Sequence, residues 1–111
     1  MISGPYTSGA SNAVQRAENL RAMNLAALAV FRKGHIPIIG VNLALPIIEA
    51  AGAEAYDEIM MPIALAAAER CGARLRIGGA SKGADEEVER FRAAGRPIYF
   101  SIDDIPAANP R

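Results

Sequence analysis

Three observations predict an α/β fold: a three-layer sandwich around a parallel flavodoxin-like (Rossmann-like) sheet. First, short apolar runs alternate with longer helical patterns along the whole chain. Second, two glycine loops, "SGPYTSG" and "GGASKG", each follow a strand candidate and open a helix. Third, "HIPIIGV" is a nearly continuous apolar run, which suits a strand buried on both faces. The order reads β-α-β-(α)-α-β-α-β. Such alternation implies parallel pairing through right-handed crossovers.

The first strand is unusually short, with only Met1 and Ile2 before the "SGPYTSG" loop: either the gene start is later than usual or the strand is a stub. Ser11 or Asn12 then caps a helix that runs to about Lys33, with Gly34 as the stop. Its first half is amphipathic, with Val14, Ala17, Leu20 and Met23 on one side. Its second half, "LAALAVF", is apolar all round. "HIPIIGV" is the second strand. "NLALPIIEAAGAEAYDE" carries Pro46 and Gly52 and reads as a loop with a helical turn or two. A further helix covers roughly 57 to 70, with Asp57 a possible cap and Pro62 tolerable near a first turn or as a kink. "ARLRI" is the third strand, and Ala84 to about Ala94 is the last helix, ended by Gly95. "RPIYFSI" is the fourth strand, and "DDIPAANPR" is a polar, proline-bearing tail.

The totals fit one domain across residues 1–111. Hydrophobic residues make up 51%, enough for a core, and charged residues 22%. Lysine plus arginine and aspartate plus glutamate are each 12, so no global field favours a nucleic acid polymer or an anionic membrane. The longest apolar run, "IMMPIALAAA", is far short of the roughly 20 residues a spanning helix needs. With one cysteine, Cys71, no disulfide or cysteine zinc cluster forms within the chain. Nothing like a signal peptide opens the sequence, and a cytoplasmic location is the expectation. His35, the one histidine, reads as structural. Asp103 and Asp104 read as solvated acids, so no metal and no cofactor are expected.

In folds of this class, ligands sit beyond the carboxyl ends of the strands, where both glycine loops fall. A glycine loop at a helix start offers backbone N–H groups and the positive end of the helix dipole. "GGASKG" is neither a Walker A loop nor G-x-G-x-x-G. Composition alone favours a plain strand-to-helix connection over a ligand cradle. The three acids that follow sharpen the choice. Asp85, Glu86 and Glu87 lie in a first turn, where the dipole favours any carboxylate. Successive helical positions point about 100° apart, so the three cannot share one environment. Ala84, Val88 and Phe91 mark the packed side. Glu87 borders it and can point inward, whereas Glu86, Glu89 and Arg90 look outward. A carboxylate at the rim of a pocket can attack a sugar carbon. Arg74 and Arg76 share one face of the third strand. They either pair with acids on a covering helix or partner chain, or Arg76 meets a phosphate. The first reading is preferred, because a buried strand rarely tolerates unpaired charge.

"ISGPYTSG", "GHIPIIGVN" and "LRIGGASKGADEEVERFRAAGRPIYF" together resemble the nucleoside 2-deoxyribosyltransferase-like superfamily, and more closely its small bacterial members. The likeness covers most of the chain. Its most specific part is S-x-G-A-x-x-E, followed by A-x-G-x-P and a strand. The resemblance makes Glu87 the nucleophile and Tyr6 a catalytic residue lining the same pocket. It makes Ser81 and Gly83 contacts for the sugar or its 5′ end. Gly4 and Gly79, in the two glycine loops, and the exposed Lys82 join them as substrate-binding candidates. The implied reaction cleaves or transfers the N-glycosidic bond of a (deoxy)nucleoside or nucleoside 5′-monophosphate through a glycosyl-enzyme intermediate. The implied partner is thus a small-molecule nucleoside or nucleotide, with no cofactor.

One position departs from the family pattern. Gly72 stands where an aspartate usually serves the leaving base. Asp57 and Glu69 are near in sequence, and the sequence places neither in the site. The alternative reading is therefore a catalytically weak or inactive nucleotide-binding module of the same fold. Finally, "LAALAVF" and "IMMPIALAAA" lack the polar outer side a monomer of this size needs. That composition, and the resemblance, predict a homo-oligomer, a dimer or higher.

Overall fold

A computed structural model describes residues 1–7 and 9–108 of the chain. Its strands are short: β1 is Ile2–Ser3, β2 is Arg74–Arg76 and β3 is Ile98–Tyr99. They form one parallel sheet in the order β1-β2-β3. Four α-helices accompany it among the described residues: α1 Ala13–Arg32, α2 Gly40–Ala51, α3 Tyr56–Glu69 and α4 Lys82–Ala93. The mixed α/β class and the parallel pairing agree with the sequence reading.

Register assigns the two sheet faces. Ile2 pairs with Leu75 and Leu75 with Tyr99, so these side chains share a face. Ile2 and Leu75 pack against Met23, Ala26 and Val30 of α1, with Ile39 and Ile105 in the same cluster. Met23 is 1% exposed. Burying such a side chain contributes about 1.5–3 kcal/mol. Ser3, Arg74 and Arg76 lie on the opposite face, toward α4.

Asn12 caps α1, its side chain accepting from the Gln15 N–H at 2.9 Å. The expected inward stripe is only partly right. Val14 and Ala17 are exposed and Leu20 is half-buried; the packed stripe is Met23, Ala26 and Val30. The cause is length. A helix of 20 residues spans about 30 Å. Strands of two or three residues cover only about 10 Å. The first turns of α1 therefore overhang the sheet.

Two elements differ from the sequence reading. "HIPIIGV" is not a strand: it makes a single parallel bridge, Ile39 to Ile2, and the Ile2 N–H donates to the Ile38 carbonyl at 2.8 Å. Pro37 has no N–H to give a ladder, and Gly40 already begins α2. Conversely, "NLALPIIEAA" is helical. Gly40, Ala44 and Ile48 form a buried i, i+4, i+8 stripe. Ala44 and Ile48 cluster with Met60 of α3. That packing outweighs Pro46, which removes one helical hydrogen bond. α3 likewise holds Pro62 inside it. Asp57 does not cap α3, whose cap position is Ala55; Asp57 sits in the first turn.

The fourth strand shrinks to Ile98–Tyr99, and Ser101 starts a 3-10 turn over Ile102–Asp104. The tail is less polar in its packing than its composition suggests. Ile105 is buried, and Lys33 Nζ donates to the carbonyls of Ile102 and Ile105 at 2.7 and 2.8 Å. No helix among the described residues is long and apolar enough to cross a membrane.

Candidate functional site

The two glycine loops meet at the carboxyl end of the sheet, and the contact is close. A Cβ at Gly4 would stand 3.0 Å from the Ile77 carbonyl oxygen. Gly78 has φ +77°, and a Cβ there would stand 2.7 Å from Pro5 Cδ. Only glycine takes that backbone and that approach together. Tyr6, after Pro5, and Ser81, the cap residue of α4, line one cavity.

Ser81 caps α4, its Oγ accepting from the Ala84 N–H at 3.3 Å. The inward side of the helix is Ala84, Glu87, Val88 and Phe91. Glu86, Glu89 and Arg90 are exposed. Glu87 is thus the charged member of a buried stripe, 8% exposed.

Its partners come from the strands. Glu87 Oε2 accepts from Ser3 Oγ at 3.0 Å and from Arg74 Nη1. Arg74 Nη1 also donates to Ser3 Oγ, closing a triangle. The guanidinium lies over the Phe91 ring, 4.4 Å from its centroid. Burial lowers the Arg74 pKa, and the Glu87 charge pulls it back up. Arg74 Nε is buried without a partner. Both bonds to Glu87 fall on Oε2. Oε1 takes none among the described residues.

Glu87 borders a cavity of about 190 Å³. Of the residues singled out in the sequence, Gly4, Tyr6, Ser81, Gly83 and Glu87 all line it. Gly79 and Lys82 do not. Both are exposed, and the Gly79 carbonyl accepts from Arg76 Nη2 at 2.7 Å. Arg76 Nε also meets Asp85 Oδ1 at 3.2 Å. Both strand arginines therefore pair with carboxylates of α4.

Three lining features escaped the sequence reading. Asp57, from the first turn of α3, lines the same cavity as Glu87. Tyr56 lines it beside Asp57, and burial pushes its phenol up. Met23, Met60 and Met61 give an apolar wall. The i, i+4 spacing of Tyr56 and Met60 was available as a signal. The docking of α3 against α2 and α4 was not.

Gly72 lies elsewhere. It precedes the amino end of β2 and lines a separate cavity of about 490 Å³ with His35 and Cys71. A Cβ at Gly72 would meet nothing within 4 Å. His35 Nε2 bonds the Pro106 carbonyl at 2.7 Å and Cys71 Sγ the Ala67 carbonyl at 3.3 Å. No group of three metal-ligating side chains comes together among the described residues.

Compared with protein-family models, curated proteins and solved structures, the chain matches none.

Chemically, the cavity combines two carboxylates with different settings. Glu87 is fixed through one oxygen by a buried cation and a hydroxyl. Asp57 is exposed at the rim. Hydroxyls of Ser3, Tyr6, Thr7, Tyr56 and Ser81 surround them. Such a set can hold a polyhydroxy ligand, supply an oriented nucleophilic oxygen and exchange a proton.

Proposed function

We propose that the protein cleaves or transfers the N-glycosidic bond of a nucleoside-type substrate, with Glu87 as nucleophile. The observation that carries the reading is the seating of Glu87. Its Oε2 is held by Ser3 and Arg74, its Oε1 takes no bond among the described residues, and its cavity is also lined by Tyr6 and Asp57.

Oε1 of Glu87 attacks the anomeric carbon, a C–O bond forms and the C–N bond to the base breaks. The base nitrogen takes a proton from Asp57. Water, or the nitrogen of a second base, then attacks the same carbon from the vacated face. Its proton returns to Asp57, and the Glu87 carboxylate is released. Two inversions give net retention. Asp57 takes the role that the family pattern gives to the position of Gly72. Tyr6 and Ser81 supply hydroxyls to the sugar.

Adding the Ile39 bridge beside β1 gives the spatial order second-first-third-fourth for the chain segments. That order, with α1 and α4 on opposite faces, supports a three-layer flavodoxin-like sandwich.

A second reading rests on the same pair. Arg74 is nearly fully buried, so Glu87 also serves as its counter-ion. A protein that only binds nucleosides would keep this pair for structure. Glu87→Gln separates the readings, because the amide keeps the shape and a hydrogen bond. Liberated base is followed by chromatography and ligand binding by calorimetry over a panel of nucleosides and deoxynucleosides. An enzyme loses base release and keeps binding in the variant. If the unmodified protein releases no base from any member, the catalytic reading fails and the binding reading stands or falls on the calorimetry.

A further inference from the structure

The cavity at the amino end of β2, about 490 Å³, is larger than the one that Glu87 borders. Its size falls in the range of roughly 300–1,000 Å³ usual for small-molecule sites. Much of its wall is apolar: Val30, Ile36, Ile38, Leu75 and Ile105 line it. Its fixed charges are of one sign. Met1, Arg70 and Arg74 line it, and among the described residues no aspartate or glutamate does.

The surrounding groups extend that pattern. The Met1 ammonium donates to the carbonyl of Ala73, a lining residue, at 2.7 Å. Arg96 Nη1 donates to the carbonyl of Cys71, and Lys33 Nζ to that of Ile105, both lining residues, at 3.1 and 2.8 Å. Arg70 Nη1 donates to the Ala66 carbonyl at 2.9 Å. A carbonyl satisfies an N–H but supplies no counter-charge. Arg74 has its carboxylate in Glu87; Lys33, Arg70, Arg96 and the Met1 ammonium have none among the described residues. Burial lowers the pKa of the terminal amine, the direction expected of a cation short of negative partners.

Helix ends answer part of this charge. α1 ends beside Lys33 and α3 beside Arg70, and each carboxyl end carries about half a negative charge. Two such ends offset about one of these four positive charges, so about three remain.

We infer that this cavity binds a small carboxylate with an apolar body. The carboxylate lies toward Arg70 and the terminal ammonium, and the body against the isoleucines and Val30. Arg70 keeps N–H donors beyond the one given to Ala66, and its planar fork matches a carboxylate. A phosphate fits less well, because its further oxygens would face the apolar wall without donors. The site is separate from Glu87 and does not depend on the chemistry there.

The test is calorimetry on the full chain with hexanoate, with the neutral hexanamide and with inorganic phosphate. Hexanoate should bind about tenfold or more tighter than either, a gap of about 1.4 kcal/mol. Gly72 lines the cavity with open space at its Cβ position, so Gly72→Asp adds a carboxylate there without a clash. Gly72→Asp and the exposed Arg70→Ala should each weaken hexanoate by a similar factor, with thermal midpoints near that of the parent. Equal binding of hexanoate and hexanamide, or no binding of hexanoate at millimolar concentration, overturns the anion site. Phosphate bound more tightly than hexanoate overturns the choice of a carboxylate. Hexanoate binding left unchanged by both variants overturns its placement in this cavity.

Discussion

Arg74 of β2 and Glu87 of α4 form a buried ion pair whose carboxylate borders the cavity. The pair joins the sheet to the helix that borders the cavity. Neither partner can be removed alone without leaving an uncompensated charge. Breaking such a pair typically costs about 3–5 kcal/mol. Glu87→Ala and Arg74→Met should each lower the urea midpoint strongly. The double variant Arg74→Met, Glu87→Ala should recover much of the loss, because no charge is then left unpaired. Additive losses in this cycle would mean that the two side chains are not coupled.

The second prediction sets Asp57 against Gly72. Asp57 lines the cavity, and Gly72 lines another. Asp57→Asn should reduce base release by about 10²–10⁴-fold, the usual worth of a proton donor, with little change in folding. Gly72→Asp has open space for its side chain and should leave both base release and stability unchanged. A gain of activity in Gly72→Asp would return the proton donor to the position the family pattern gives it.

How far the sequence carried this picture can be read from particular residues. Glu87 was legible because Ala84, Val88 and Phe91 fix the phase of α4, and a helix of strong amphipathic contrast leaves little freedom. The pairing of Arg74 and Arg76 with acids was legible because a buried strand must neutralise its charges. Asp57 was not, since its entry into the cavity depends on how α3 docks. The segment from His35 to Ala51 was misread for a local reason. Pro46 and Gly52 signal a break, yet the stripe Gly40, Ala44 and Ile48 packs well enough to hold a helix across the proline. Tertiary burial overrode propensity there.

The third prediction concerns the interlocked loops. Gly78 carries a positive φ and faces Pro5 at a distance no Cβ tolerates. Gly78→Ala should cost about 1–2 kcal/mol for the backbone alone, with the clash added. It should also weaken ligand binding, because the loop that bears Tyr6 must shift. Gly79→Ala is the control. Gly79 has no positive φ and nothing within 4 Å of its Cβ position, so its midpoint should stay near that of the parent. Equal losses in the two variants would remove the loop contact as the cause.

The fourth prediction follows from α1 and α2. Leu25, Leu28 and Phe31 on α1, and Leu43 and Ile47 on α2, are each more than two-fifths exposed. Asn42 Nδ2 donates to Asn24 Oδ1 at 2.7 Å, which ties the two helices together beside these residues. Apolar side chains gathered this way are a self-association surface when a second copy presents the same surface across a two-fold axis. Light scattering on the purified protein at micromolar concentration should give at least twice the 11.7 kDa of one chain. Leu28→Glu places two like charges near the axis of such a dimer, at a position that makes no contribution to the buried core clusters. It should reduce the mass to one chain with the thermal midpoint of the isolated subunit unchanged on dilution. A single-chain mass for the parent protein, or an unaltered oligomer in Leu28→Glu, would show that these side chains are covered by nothing, or that the copies meet elsewhere.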